Sequence, residues 1–77
     1  MIEKTHSSSG TITILANGQA REVQMGSTVA DFLEELSIAP SRVVAQLDGV
    51  IVPRSEFDKA VLHEGSRLEI VTLVGGG

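Results

Sequence analysis

The chain has 77 residues, a formal net charge of −4, no cysteine and only two aromatic side chains, Phe32 and Phe57. A single domain of this length has too small a core to be hollowed into a substrate cleft, and its stability must come from close packing of Val, Ile and Leu without a disulfide brace. The acidic balance argues against a nucleic-acid partner, which requires a basic stripe, and favours protein partners with basic or mixed surfaces.

Residues 1–10 are polar, end in Ser7-Ser8-Ser9-Gly10 and lack any structural period, which predicts a disordered leader. Thr11-Ile12-Thr13-Ile14-Leu15 alternates with β-branched residues and predicts a first strand; Asn17-Gly18 then suits the positive φ angles of a tight hairpin. A second strand is expected over residues 20–25, with Val23 and Met25 on one face. Gly26-Ser27 breaks it. Thr28, three residues before Asp31, forms a variant capping box that satisfies free N–H groups at a helix start. Val29, Phe32, Leu33 and Leu36 fall at i, i+3, i+4 and i+7, one apolar stripe on a short helix that Pro40 is expected to stop near Ser37 or Ile38.

Val43-Val44-Ala45-Gln46-Leu47 predicts a third strand, Asp48-Gly49 a turn, and Val50-Ile51-Val52 a short fourth strand ended by Pro53. Residues 54–62 are poorly patterned, with one helical turn expected to bury Phe57 and Leu62. Gly65 marks a turn, and a last strand is expected from residue 67 to about residue 73. The pattern predicts one α+β domain over residues 11–74, a single main helix packed across a mixed sheet of four to five strands.

Val74-Gly75-Gly76-Gly77 follows the last strand. Residues without a Cβ thread where others cannot, and at 3.3–3.6 Å per residue three of them extend about 10 Å beyond the last packed side chain. The flexible glycine tail formed by residues 75–77 is therefore the strongest functional signal, and the α-carboxyl of Gly77 is the group it would deliver.

Three stretches carry a family resemblance. Thr28-Val29-Ala30-Asp31-Phe32-Leu33-Glu34-Glu35-Leu36 is like a T-V-x-[DE]-L-L-x-x-L helix, and Val50-Ile51-Val52-Pro53-Arg54 is like an I-V-P-R segment after a short hairpin. Glu64-Gly65-Ser66-Arg67-Leu68-Glu69-Ile70-Val71 precedes the terminal glycines. Together they resemble the ubiquitin-like β-grasp sulfur carriers that end in Gly-Gly, and within that group the ThiS-like carriers of thiamine (thiazole) biosynthesis. The likeness covers residues 11–77. The leader is extra, and Gly75 makes a triglycine where the family requires only the last two glycines.

The resemblance implies a β-grasp fold and a protein co-substrate rather than an enzyme. It implies that an ATP-dependent adenylating enzyme activates Gly77, that a cysteine desulfurase or other donor supplies sulfur, and that thiazole synthase consumes the resulting thiocarboxylate. No bound cofactor is expected, ATP being used by the activating enzyme. An α-carboxyl group titrates near about 3.3–3.7, so the tail would end in an unreactive carboxylate that must be adenylated before sulfur can enter. Gly75 and Gly76 are expected to be required for threading, and a Cβ at Gly76 or Gly77 would crowd a site that must close around the reacting carbonyl and exclude water.

Docking is expected on the last strand. By strand parity, Leu68, Ile70 and Thr72 share one face, and Val71 and Leu73 place apolar groups on the other, beside the tail. Arg54 is a further candidate contact, equally able to stabilise its own loop. Other chemistry is absent: His6 and His63 lack ligand spacing and any cysteine, and Glu34 and Glu35, adjacent on a helix, do not face each other. No catalytic or metal-binding residue is expected. The lack of cysteine, of a signal-peptide core and of any membrane-length apolar run makes a cytoplasmic protein without membrane partners the expectation. The rival readings are the molybdopterin synthase small subunit, a ubiquitin-like modifier joined through Gly77 to lysine, and an interaction domain with an inert tail.

Overall fold

In the computed structural model, which describes residues 10–73, five strands and one helix follow in the order β1 (Thr11–Ala16), β2 (Gln19–Gln24), α1 (Val29–Glu35), β3 (Val43–Leu47), β4 (Val50–Val52) and β5 (Arg67–Thr72). Residues 1–9 of the expected leader, Val74 and the Gly75-Gly76-Gly77 tail lie outside the described residues. No helix among the described residues is long and apolar enough to cross a membrane.

The two tight turns form as their residues dictate. Asn17 and Gly18 have φ of 51° and 82°, and Asp48 and Gly49 have φ of 52° and 86°. Positive φ at both central positions matches the right-handed twist of a hairpin, which is why each turn is an Asx-Gly pair. The β1–β2 hairpin runs antiparallel from Thr11 opposite Gln24 to Ala16 opposite Gln19. Strand β2 ends at Gln24, so Met25 lies outside it and is exposed rather than sharing the buried face of Val23. Met25 N–H donates to Gly10 O at 2.6 Å, which closes the open end of the hairpin.

The capping box at the start of α1 is complete. Asp31 N–H donates to Thr28 Oγ1 at 3.2 Å and Thr28 N–H to Asp31 Oδ2 at 3.0 Å. The first two helical N–H groups, of Val29 and Ala30, donate to Ala60 O and Phe57 O. The irregular connection between β4 and β5 is thereby bound over the helix start, and it buries Phe57 and Leu62 as expected. The helix ends earlier than Pro40 requires. Ser37 takes φ of 59°, its N–H donates to Glu34 O and that of Ile38 to Leu33 O, a Schellman motif that satisfies the last carbonyls. Leu36 is the C-cap and half exposed; Val29, Phe32 and Leu33 carry the buried stripe.

The sheet order is β2-β1-β5-β3-β4. Only β1 and β5 are parallel; the other pairs are antiparallel. The last strand thus becomes the central one, and α1 covers one face of the sheet. Ile12 and Ile14 of β1, Val23 of β2, Val43 and Ala45 of β3 and Leu68 of β5 form the core with Val29, Phe32, Leu33, Phe57 and Leu62. This is the expected α+β arrangement, with five strands.

Candidate functional site

Attention falls on the end of β5, from which the glycine-rich segment continues. Leu68 is fully buried and Ile70 packs against the core, so alternation turns Glu69 and Val71 to the face opposite the helix. Val71 is 60% exposed and Leu73, just beyond the strand, 44% exposed. The structure therefore puts both Val71 and Leu73 at the surface, at the end of β5.

Two further apolar side chains join them that parity within β5 alone does not disclose. Val44 is the direct partner of Val71 across the β3–β5 ladder. Ile51, opposite Gln46 in β4, lies diagonal to Val44, within reach of a long side chain. Ile51 is 60% and Val44 38% exposed. Four aliphatic residues thus form one uncovered patch on the outer face of the three central and neighbouring strands. The available signal was the outward parity of Val44 and Ile51 in their own strands, but only the placement of β3 beside β5 brings them to Val71.

Arg54 reaches the same end of the sheet by a traceable route. Its Nε donates to Pro40 O at 3.2 Å, and Pro40–Arg42 is a 3₁₀ turn leading into β3. Arg42 O in turn accepts from Leu73 N–H at 2.6 Å. One short turn therefore ties the exit of β4 to the exit of β5. Arg54 is exposed as well as bonded, so its loop role is present and its side chain remains accessible.

On the opposite edge, β5 leans on β1 only through Leu15 opposite Arg67 and Ala16 opposite Leu68, because β1 then enters its turn. Asn17 continues the contact. Its N–H donates to Leu68 O at 2.8 Å, its side-chain Nδ2 donates to Ile70 O at 3.2 Å and its Oδ1 accepts from Ile70 N–H at 2.8 Å. Read as a turn residue alone, Asn17 gives no hint of this second role.

Other candidates remain apart. His63 is exposed and its main-chain N–H donates to the buried Ser66 Oγ at 2.9 Å; His6 lies outside the described residues. Among the described residues no three of His, Cys, Asp and Glu gather where a metal could be held. Glu34 and Glu35 are exposed on the helix. Gly75, Gly76 and Gly77 lie outside the described residues.

The likeness of this chain to known proteins is consistent in sequence and in three dimensions. It is 33% identical over 64 residues to the thiazole synthase of Paramagnetospirillum magneticum, an alignment covering 83% of this chain and 20% of that protein. The chain thus spans about a fifth of the length of the thiazole synthases it matches. It is 28% identical over 64 residues to the sulfur carrier protein ThiS of Escherichia coli, covering 83% of this chain and 97% of that one. The crystal structure of the thiamine biosynthesis protein ThiS from Geobacter metallireducens superposes with a TM-score of 0.73 at 26% identity, over 86% of this chain and all of that one. That match identifies the helix-on-mixed-sheet architecture as the ubiquitin-like β-grasp. The ThiS family model matches residues 14–77, from the middle of β1 through the triglycine, and the chain belongs to the ThiS family.

Proposed function

We propose that the protein is a sulfur carrier for thiazole formation in thiamine biosynthesis, with the Gly77 carboxylate as its working group. The observation that carries this is the ThiS family match, which continues through Gly77. In the first step a carboxylate oxygen of Gly77 attacks the α-phosphorus of ATP in a partner enzyme. An acyl–O–P bond forms, the bond to the β-phosphate breaks and pyrophosphate leaves. A persulfide from a cysteine-based donor then attacks the acyl carbon and expels AMP, leaving an acyl disulfide. Two electrons from thiols cleave its S–S bond, releasing the donor thiol and a thiocarboxylate on Gly77. The chain itself supplies no acid, base or metal; it is a co-substrate that is recognised and passed on, and ATP is bound by the activating enzyme.

Thiazole synthase is the proposed acceptor, supported by the segment like this chain that lies within proteins of that name. Docking is assigned to the outer sheet face, through Val71 and Leu73 together with Val44 and Ile51, since an exposed aliphatic cluster of this kind suits an interface. Arg54, exposed and tied through Pro40 to the turn that leads into β3, is proposed to meet an acidic group of the partner. Gly75 and Gly76 provide the reach and the slenderness that a water-excluding site requires. A cysteine-free chain suits the cytoplasm, where this chemistry would run.

Intact-mass measurement after incubation with the activating enzyme, ATP and a sulfur source tests the proposal. Replacement of one oxygen by sulfur at Gly77 is the expected result, and its abolition when a residue is appended beyond Gly77 locates the exchange. An unchanged mass under conditions that sulfurate the Escherichia coli carrier would overturn it.

A further inference from the structure

We infer that Asn17 is a positioning residue for the terminal carboxylate, acting through β5; the inference rests on the carrier function proposed above. The N–H and C=O of one strand residue point to the same side. Ile70 has its N–H bonded to Asn17, so both its main-chain groups face β1 and away from β3. At that level β1 no longer offers a main chain, because Asn17 has turned away with φ of 51°.

The side-chain amide takes the place of the missing peptide. Oδ1 stands where a carbonyl would accept from Ile70 N–H, and Nδ2 where the following N–H would donate to Ile70 O, at 2.8 and 3.2 Å. No other side chain combines this donor and acceptor at that reach with tolerance of the left-handed backbone. On the far side, Val71 opposite Val44 and Leu73 N–H on Arg42 O hold the same segment to β3. The end of β5 is thus gripped from both edges, at Ile70 by Asn17 and at Leu73 by Arg42. Its direction there sets where a short glycine segment can place its end, and small misplacements of a reacting group are costly in rate. The docking patch, on the outer face, is made by other side chains.

Two variants separate positioning from stability. Asn17→Gly keeps a residue at ease with positive φ, and so the hairpin, but deletes the amide. Asn17→Asp keeps the acceptor for Ile70 N–H and loses the donor. Amide hydrogen exchange at Ile70 is expected to accelerate by about tenfold or more in Asn17→Gly relative to wild type, with Ile12 and Ile14 protected as before. In adenylation by the partner enzyme, followed as ATP–pyrophosphate exchange, kcat is expected to fall about tenfold while KM for the carrier stays within about twofold. Asn17→Asp should recover part of both losses.

Equal Ile70 exchange in Asn17→Gly and wild type would overturn the grip itself. Faster exchange with kcat unchanged would overturn the positioning role and leave the carrier function standing. Failure of the wild-type chain to be adenylated, with Ile70 exchange responding as expected, would overturn the carrier function and with it the positioning role.

Discussion

The two faces of the sheet use similar aliphatic residues to opposite ends. On the helix side Ile12, Ile14, Val43, Ala45 and Leu68 are buried beneath α1. On the other side Val44, Ile51 and Val71 stand in solvent. Burial of aliphatic area is the dominant favourable term in folding, so the inner residues hold the domain together, whereas the outer ones contribute little to it in the isolated chain. Their hydrophobicity becomes useful only when another surface covers them. With docking on the outer face as proposed, the alternation of single strands would keep stability and recognition apart.

The sharpest way to break this contrast is to exchange its terms. Ile14→Ala, at a fully buried site, is expected to cost about 2–5 kcal/mol in urea denaturation, with the affinity of the folded fraction for a partner unchanged. A loss under about 1 kcal/mol would show that the inner face is not the core. Thr28→Ala removes the cap of the helix that covers that face and should cost about 1 kcal/mol, measured as a lowered denaturation midpoint at constant slope. Val71→Thr keeps a β-branched shape on the outer face: KM for the activating enzyme should rise about fivefold, equivalent to about 1 kcal/mol, while stability moves by less than about 0.5 kcal/mol. A stability change exceeding the binding change would assign Val71 to the core instead. Smallest, Ser37→Gly relieves a left-handed residue at the helix end and should raise stability by about 0.5 kcal/mol without affecting docking; a destabilised variant would show that the serine side chain contributes there.

Much of the fold was legible because its signals are local. Asn17-Gly18 and Asp48-Gly49 dictate their turns, Thr28 and Asp31 their cap, and the alternation from Thr11 to Leu15 its strand. What remained hidden depends on partners distant in sequence. Nothing in residues 67–72 tells that their neighbours are β1 and β3, so the pairing of Val44 with Val71 could not be read. The helix end was misplaced for another reason: Ser37 adopts a conformation favoured by glycine, and a serine gives no warning of it. Met25 looked like a continuation of Val23 because period alone does not mark where a hairpin partner runs out. Of the candidate site, parity gave the exposure of Val71 and Leu73, while Gly75, Gly76 and Gly77, singled out by composition, lie outside the described residues. The grip of Asn17 on Ile70 was obscured because turn chemistry already accounted for an asparagine at that position.

The central place of β5 also bears on synthesis. Within this domain β5 is the last strand to be synthesised, yet β1 and β3 have no shared neighbour until it arrives, and long-range pairings of this kind form late in folding. A nascent chain interrupted before Arg67 is therefore expected to stay open to proteases, so that proteolysis would clear truncated products and spare molecules that possess the segment leading to the tail.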